Sequence, residues 1–281
     1  MEIQEWTVEI PHARGFDRSG VAGMKRFFSI VVVCIGLFAC PAFQASAQTV
    51  PPAKPGAAPE KVPSVEQILD RYVVALGGRA AIEKLNSRLA KGWVEVLGQD
   101  LTGDVEIAAK APDKFRLTFR VPGFMAEEGY DGAVAWAADS RGIVRSLRGE
   151  RAANARIDAQ FYSDLQIAAL FPQLQLIGTE VVGKEAAYVV EAVPPEGSRR
   201  WFYFGVNTGL LLRYDAEVLE PPPAVRNATR LSAYTEIDGV KVPMTMRQET
   251  TELSWILHIT DVRHNIPLDD ARFKKPKPSP Y

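Results

Sequence analysis

The stretch from Lys184 to Glu217 limits what this chain can become more than any other part of it. Two groups of turn formers, Pro194-Pro195-Glu196-Gly197 and Gly205-Val206-Asn207-Thr208-Gly209, interrupt a run of β-branched and aromatic residues. Proline fixes φ and glycine reaches positive φ without steric cost, so these groups are turns and the runs between them are three antiparallel strands of a meander. Within Trp201-Phe202-Tyr203-Phe204, side-chain alternation sends Trp201 and Tyr203 to one face and Phe202 and Phe204 to the other. Both faces then need a cover. An antiparallel sheet can leave one face wet, but not with this much aromatic surface, so helices are expected on one side and a ligand or partner on the other.

The rest of the chain extends that sheet. Ser64 and Gln67 form a capping box, and Val65, Ile68, Leu69, Tyr72, Val73 and Leu76 follow at helical spacing until Gly77-Gly78 ends the helix. A short second helix is expected from Ala80 to Leu85. From Leu89 the period becomes 2: Leu101, Val105 and Ile107 alternate with Thr102, Asp104 and Glu106, and Phe115, Leu117 and Phe119 with Arg116, Thr118 and Arg120. Turn signals at Gly98-Gln99-Asp100, Ala111-Pro112-Asp113, Pro122-Gly123 and Asp131-Gly132 join neighbours in sequence as hairpins. One helix is expected from Glu150 to Leu170, with Ile157, Phe161 and Leu165 on its apolar side, lying across the sheet as a lid. Strands resume from Leu174 to Val182. Thr229–Ile237 and Val240–Glu249 pair about Asp238-Gly239, and Trp255–Val262 is the last strand. The fold class is therefore mainly β (α+β), a single domain over residues 64–273 with roughly eleven to thirteen strands, which requires strong curvature or partial closure.

The first 47 residues read as a leader. Lys25 and Arg26 precede the apolar run Phe27–Phe38, and Ala45-Ser46-Ala47 places small residues before Gln48, so cleavage is expected between Ala47 and Gln48. The apolar run is shorter than the roughly 20 residues that cross a bilayer. The residues before Met24 are acidic, which makes Met24 an alternative start, and Leu37-Phe38-Ala39-Cys40 offers a lipid anchor at Cys40 as the alternative processing. Cleavage removes Cys34 and Cys40, the chain's 2 cysteines, excluding disulfides and thiol catalysis from the mature protein and suiting a bacterial periplasm. Residues 48–63 are a Pro/Ala-rich linker and 274–281 a disordered Lys/Pro tail. With 33 Lys plus Arg against 34 Asp plus Glu, the chain lacks the basic field that a nucleic acid needs.

Catalytic patterns are absent or incomplete. Gly178–Lys184 has phosphate-loop spacing, but Glu185 stands where Ser or Thr must hold magnesium, so the segment reads as hairpin edges. His258 and His264, on one extended strand, are about 20 Å apart and share no metal. Glu127-Glu128 and Asp269-Asp270 point to opposite faces of a strand, unlike a cooperating acid and base, and read as solvated surface. No G-x-S-x-G, H-E-x-x-H or C-x-x-C occurs. The expectation is a protein that is not an enzyme and carries no cofactor and no metal.

The order of elements resembles the bacterial outer-membrane lipoprotein-sorting family of LolA/LolB-like half-barrels. The pieces that carry the resemblance are Tyr72-Val73-Val74-Ala75-Leu76-Gly77-Gly78, Ala111-Pro112-Asp113-Lys114-Phe115-Arg116, Tyr130-Asp131-Gly132, Asn207-Thr208-Gly209-Leu210 and Tyr234–Pro243. Each is a weak signal, and their order over residues 64–273 is the informative part. The resemblance implies a curved sheet whose concave side, closed by helices, takes acyl chains of a lipoprotein. Candidates to line such an apolar cavity are Trp93, Phe115, Leu117, Phe119, Trp136, Phe161, Trp201, Tyr203, Leu212 and Trp255. The resulting expectation is a monomeric, periplasmic, non-catalytic carrier or binder of a lipid or lipoprotein acyl chain. The alternative is an envelope protein-interaction module that uses the surface or edges of the same sheet.

Overall fold

A computed structural model describes residues 62–218, 224–250 and 254–277. The leader, the expected cleavage site at Ala47 and Gln48 and all of the linker but residues 62 and 63 lie outside the described residues, as does the end of the tail. Helix α1 (Val65–Leu76) begins at the Ser64–Gln67 capping box and buries Ile68, Tyr72 and Leu76. Its end at Gly77 has φ 123°, and a Cβ there would sit 2.0 Å from the Gly239 carbonyl oxygen, so the helix terminus and a hairpin turn meet backbone to backbone. A single turn, α2 (Arg79–Ile82), leads into the sheet.

Six strands follow as a meander: β1 (Ser87–Val96), β2 (Leu101–Lys110), β3 (Lys114–Val121), β4 (Phe124–Tyr130), β5 (Ala135–Asp139) and β6 (Val144–Ser146). After a helical crossing come β7 (Gln173–Val182), β8 (Glu185–Val193), β9 (Arg200–Gly205), β10 (Leu211–Val218), β11 (Val225–Ile237), β12 (Val240–Glu249) and β13 (Ser254–His264). All lie in one antiparallel sheet ordered β6-β5-β4-β3-β2-β1-β13-β12-β11-β10-β9-β8-β7. The two meanders are thus joined through β1 and β13, and the sheet has 13 strands, at the upper end of the sequence expectation.

The crossing between β6 and β7 joins opposite edges of this sheet. It is not one helix over Glu150–Leu170 but three pieces: α3 (Gly149–Asp158), a 3-10 turn (Ser163–Leu165) and α4 (Ile167–Leu170). The break has a tertiary cause. Phe161 N–H donates to the Pro112 carbonyl at 3.0 Å, Tyr162 hydroxyl donates to the Leu85 carbonyl at 2.8 Å, and Tyr72 hydroxyl donates to Asp164 at 2.6 Å. Those bonds pull the chain off the helix axis between Ala159 and Ser163.

Helix α3 also measures the curvature. Its Ala152 and Ala155 pack on Tyr130, Ala135 and Ala137 of β4 and β5, while Asn154 exchanges hydrogen bonds with Ser198 at 2.7 and 2.8 Å and Asp158 pairs with Arg200 of β9 at 2.7 Å. On a flat sheet β5 and β9 would lie about 43 Å apart, nine strand spacings. A ten-residue helix is only about 15 Å long, so the sheet must curl around it, unclosed.

Candidate functional site

Register assigns every strand residue to one of two faces. The helix-bearing inner face carries, in line across the strands, Val94 with Leu257, Val105 with Phe119, and Ile107 with Leu117. Its cores divide into two halves. Under the helices, Ile68, Tyr72, Leu76, Ile167 and Phe171 pack on Val190, Phe202, Phe204 and Leu211. In the other half Val94, Val96, Val105, Phe119, Val121, Phe124, Leu257 and Ile259 are buried, and Leu101, Ile107, Leu117, Met244, Met246 and Trp255 are half-buried against them. No helix residue packs on this second cluster among the described residues.

The outer face is closed by other means. Trp201 and Tyr203 are each 2% exposed, yet no helix packs on them among the described residues. Arg226 lies over the Trp201 ring at 3.4 Å, Arg199 over the same ring at 6.0 Å, and Arg213 over Tyr203 at 4.7 Å, with Arg213 and the Tyr203 hydroxyl both bonded to buried Asp215. Arginine stems are apolar and guanidinium planes stack on aromatic faces, so the cover comes from the chain itself. Over β2–β5 the C-terminal segment acts as a strap. Phe273 is fully buried, its carbonyl accepts the Trp136 indole N–H at 2.8 Å, and Asp270 takes Lys110 and Lys114 at 2.7 and 2.5 Å. Trp136 itself lies against Gly129, where a Cβ would come within 2.5 Å of the ring.

The ten residues singled out from sequence therefore divide. Phe115, Leu117, Phe119 and Trp255 are on the inner face, and Phe161 on the crossing segment packs with the helix-covered cluster. Trp93, Trp136, Trp201, Tyr203 and Leu212 are on the outer face. Trp93, 39% exposed, stacks on His258 with ring centroids 3.9 Å apart. A bulge at Thr260 shifts register within β13, so His258 points outward and His264 inward. His264 accepts from Arg88 and faces Asp238, both at 3.0 Å, and burial pushes its pKa below the ordinary imidazole value.

The adjacent glutamates are not solvated surface. Glu127 points outward, buried against Arg116 at 2.7 Å and Thr118. Glu128 points inward, directly across from Leu117, and its Oε1 is 3.5 Å from Arg151 of α3. Desolvation pushes the Glu128 pKa up to about 7, against the pull of Arg151 and Arg145. The same row continues through Ala137 to Arg145. Sequence reading placed Glu128 on the solvated surface and missed Arg145, Arg151, Met244 and Met246. Met244 and Met246 continue the alternation of Val240 and Val242, a signal that was available. Among the described residues no group of three or more His, Cys, Asp or Glu is placed to hold a metal ion, and no helix is long and apolar enough to cross a membrane.

No family model matches the sequence, and no curated protein matches it. Solved structures do match in fold. A DUF1329 family protein from Desulfovibrio piger superimposes with a TM-score of 0.53 at 20% identity, over 75% of this chain and 97% of that one. A LolA superfamily protein from Nitrosomonas europaea gives a TM-score of 0.50 at 13% identity, over 76% of this chain and 99% of that one. The fold is LolA-like.

Proposed function

We propose that this protein is a non-catalytic, monomeric binder or carrier of a lipid or lipoprotein acyl chain in the bacterial periplasm. One observation carries the reading: half of the inner face is a continuous apolar surface, with Ile107, Leu117, Met244, Met246 and Trp255 half-buried and no helix on it among the described residues. Methionines suit such a surface because their unbranched thioethers repack around chains of different shape. Burial of a chain there contributes roughly 0.8 kcal/mol per methylene. The LolA-like fold supports the reading, and the sequence of the leader supports export.

The test is native mass spectrometry of the mature protein taken from the periplasm, with titration of a fluorescent fatty-acid probe. Copurifying lipid and saturable uptake are expected, and Leu117→Glu or Met246→Glu should abolish uptake while leaving the circular dichroism spectrum intact. A protein that neither copurifies with lipid nor takes up the probe overturns the carrier reading.

A second reading rests on β7. It is a ten-residue edge strand with Ile177 48% and Val181 73% exposed, and among the described residues nothing pairs with its outer side. Such an edge accepts an added strand from another protein. Crosslinking that recovers an envelope protein from wild type but not from Val181→Pro, together with an empty inner face, favours this reading instead.

A further inference from the structure

The inner-face row Ile107, Leu117, Glu128, Ala137, Arg145 turns from apolar to ionic within one strand spacing, because Leu117 and Glu128 are direct cross-strand partners. Cross-strand partners stand about 5 Å apart, so whatever lies along Leu117 reaches the ionic group. That group has more donors than acceptors. Nε and Nη2 of Arg151, Nε of Arg145 and Nε of Arg200 are shut from solvent without a hydrogen-bond partner among the described residues. Two carboxyls face them, and Asp158 is already held by Arg200 at 2.7 Å. Arg145 and Arg151 are left to share Glu128, whose ionic contact among the described residues is the 3.5 Å approach of Arg151 Nη2, without hydrogen-bond geometry. Burial raises the Glu128 pKa to about 7, so near neutrality its negative charge is only partial and does not fully offset the two arginines. Guanidinium nitrogens are donors only, and their fork matches a carboxylate or phosphate.

We propose that Arg145 and Arg151, beside Glu128, seat the acidic headgroup, carboxylate or phosphate, of an amphiphile whose chain lies along Leu117, Ile107 and Met246. This rests on the acyl-chain reading above and adds the class of ligand: an anionic amphiphile rather than a neutral one. The charge at the headgroup selects the ligand and fixes its direction, and the apolar half supplies the area.

The test compares oleic acid, its methyl ester and inorganic phosphate by calorimetric titration of the mature protein at pH 7.5 and low salt. A charged hydrogen-bonded pair supports a preference of about tenfold or more for the acid over the ester. R145Q/R151Q should erase that preference, chiefly by weakening binding of the acid, and R145K/R151K should restore part of it. Single R145Q, on the edge strand β6, serves as the readout if the double variant loses its cooperative melt. Equal affinity of wild type for acid and ester overturns the headgroup site and leaves the acyl-chain reading standing. A preference that survives R145Q/R151Q overturns the assignment to these arginines. Binding of neither amphiphile overturns both readings, and Arg-dependent binding of phosphate alone in that case identifies a free anion as the occupant.

Discussion

The outer and inner faces of this sheet are made by the same alternating strands, but they are finished differently. Outside, Trp201 and Tyr203 lie under arginines, and Trp136 under the strap that ends in Phe273. Those covers are covalently part of the chain and are always present. Inside, one half is sealed by α1 and the crossing segment, whereas the half around Leu117, Met246 and Trp255 is lined but not covered among the described residues. Aromatic content does not separate the two faces. What separates them is whether the chain supplies its own cover, which assigns the outer aromatics to stability and, on the function proposed above, the uncovered inner half to binding.

The sharpest break of this comparison is at Trp136. Trp136→Ala removes a fully buried ring, its hydrogen bond to Phe273 and the anchor of the strap, and should cost about 3–5 kcal/mol in urea unfolding. Probe affinity per folded molecule should not change. A loss below about 1 kcal/mol would mean that the strap is not a structural cover.

Next in size is the pH dependence set by Glu128. Its folded pKa of about 7 lies above the ordinary value of 4.5, so the neutral acid is the form that favours folding. Stability on this account is full below about pH 4.5 and falls as pH rises through 7, by roughly 3 kcal/mol at most. Glu128→Gln keeps the neutral shape and should be more stable than wild type at pH 8, with the difference closing by pH 4.5. Urea titrations of both proteins across that range check it, and a constant offset at all pH values would rule the account out.

Met246→Ala should divide stability from binding. The side chain is half-buried on the uncovered half, so unfolding should lose only about 1 kcal/mol, below the 2–5 kcal/mol of a fully buried methionine. Uptake of a fluorescent acyl chain should weaken several-fold. If stability falls as far as for a buried core residue while uptake is unchanged, the inner half is ordinary core.

Much of this architecture is legible locally. The Ser64 capping box, the Gly77 terminus and the alternation of Phe115, Leu117 and Phe119 each follow from residues a few positions apart. What is not legible depends on distant partners. The pairing of β1 with β13 joins residues some 170 positions apart and has no local signature, and the bulge at Thr260, which turns His264 inward, arises within it. The ionic cluster requires the register of four strands and the position of α3, because Glu128, Arg145 and Arg151 carry no motif among them. Arginine is a surface residue by composition alone, so its use as a cover for Trp201 shows only once β9, β10 and β11 are placed side by side.

The smallest effect tests that cover directly. Arg226 is exposed and stacks 3.4 Å from the centroid of the Trp201 ring, and an exposed cation–π contact contributes about 0.5–1 kcal/mol. Arg226→Ala should lose that amount and raise quenching of Trp201 fluorescence by iodide, read against a Trp201→Phe background. Arg226→Leu then separates the two parts of the contact, since leucine restores apolar cover without charge. If the stem alone shields the ring, Leu recovers both stability and quenching; if the charge over the ring matters, Leu recovers the shielding and not the stability. A silent Arg226→Ala would instead assign the cover of Trp201 to Arg199, and the outer face would then be closed by fewer residues than the geometry indicates.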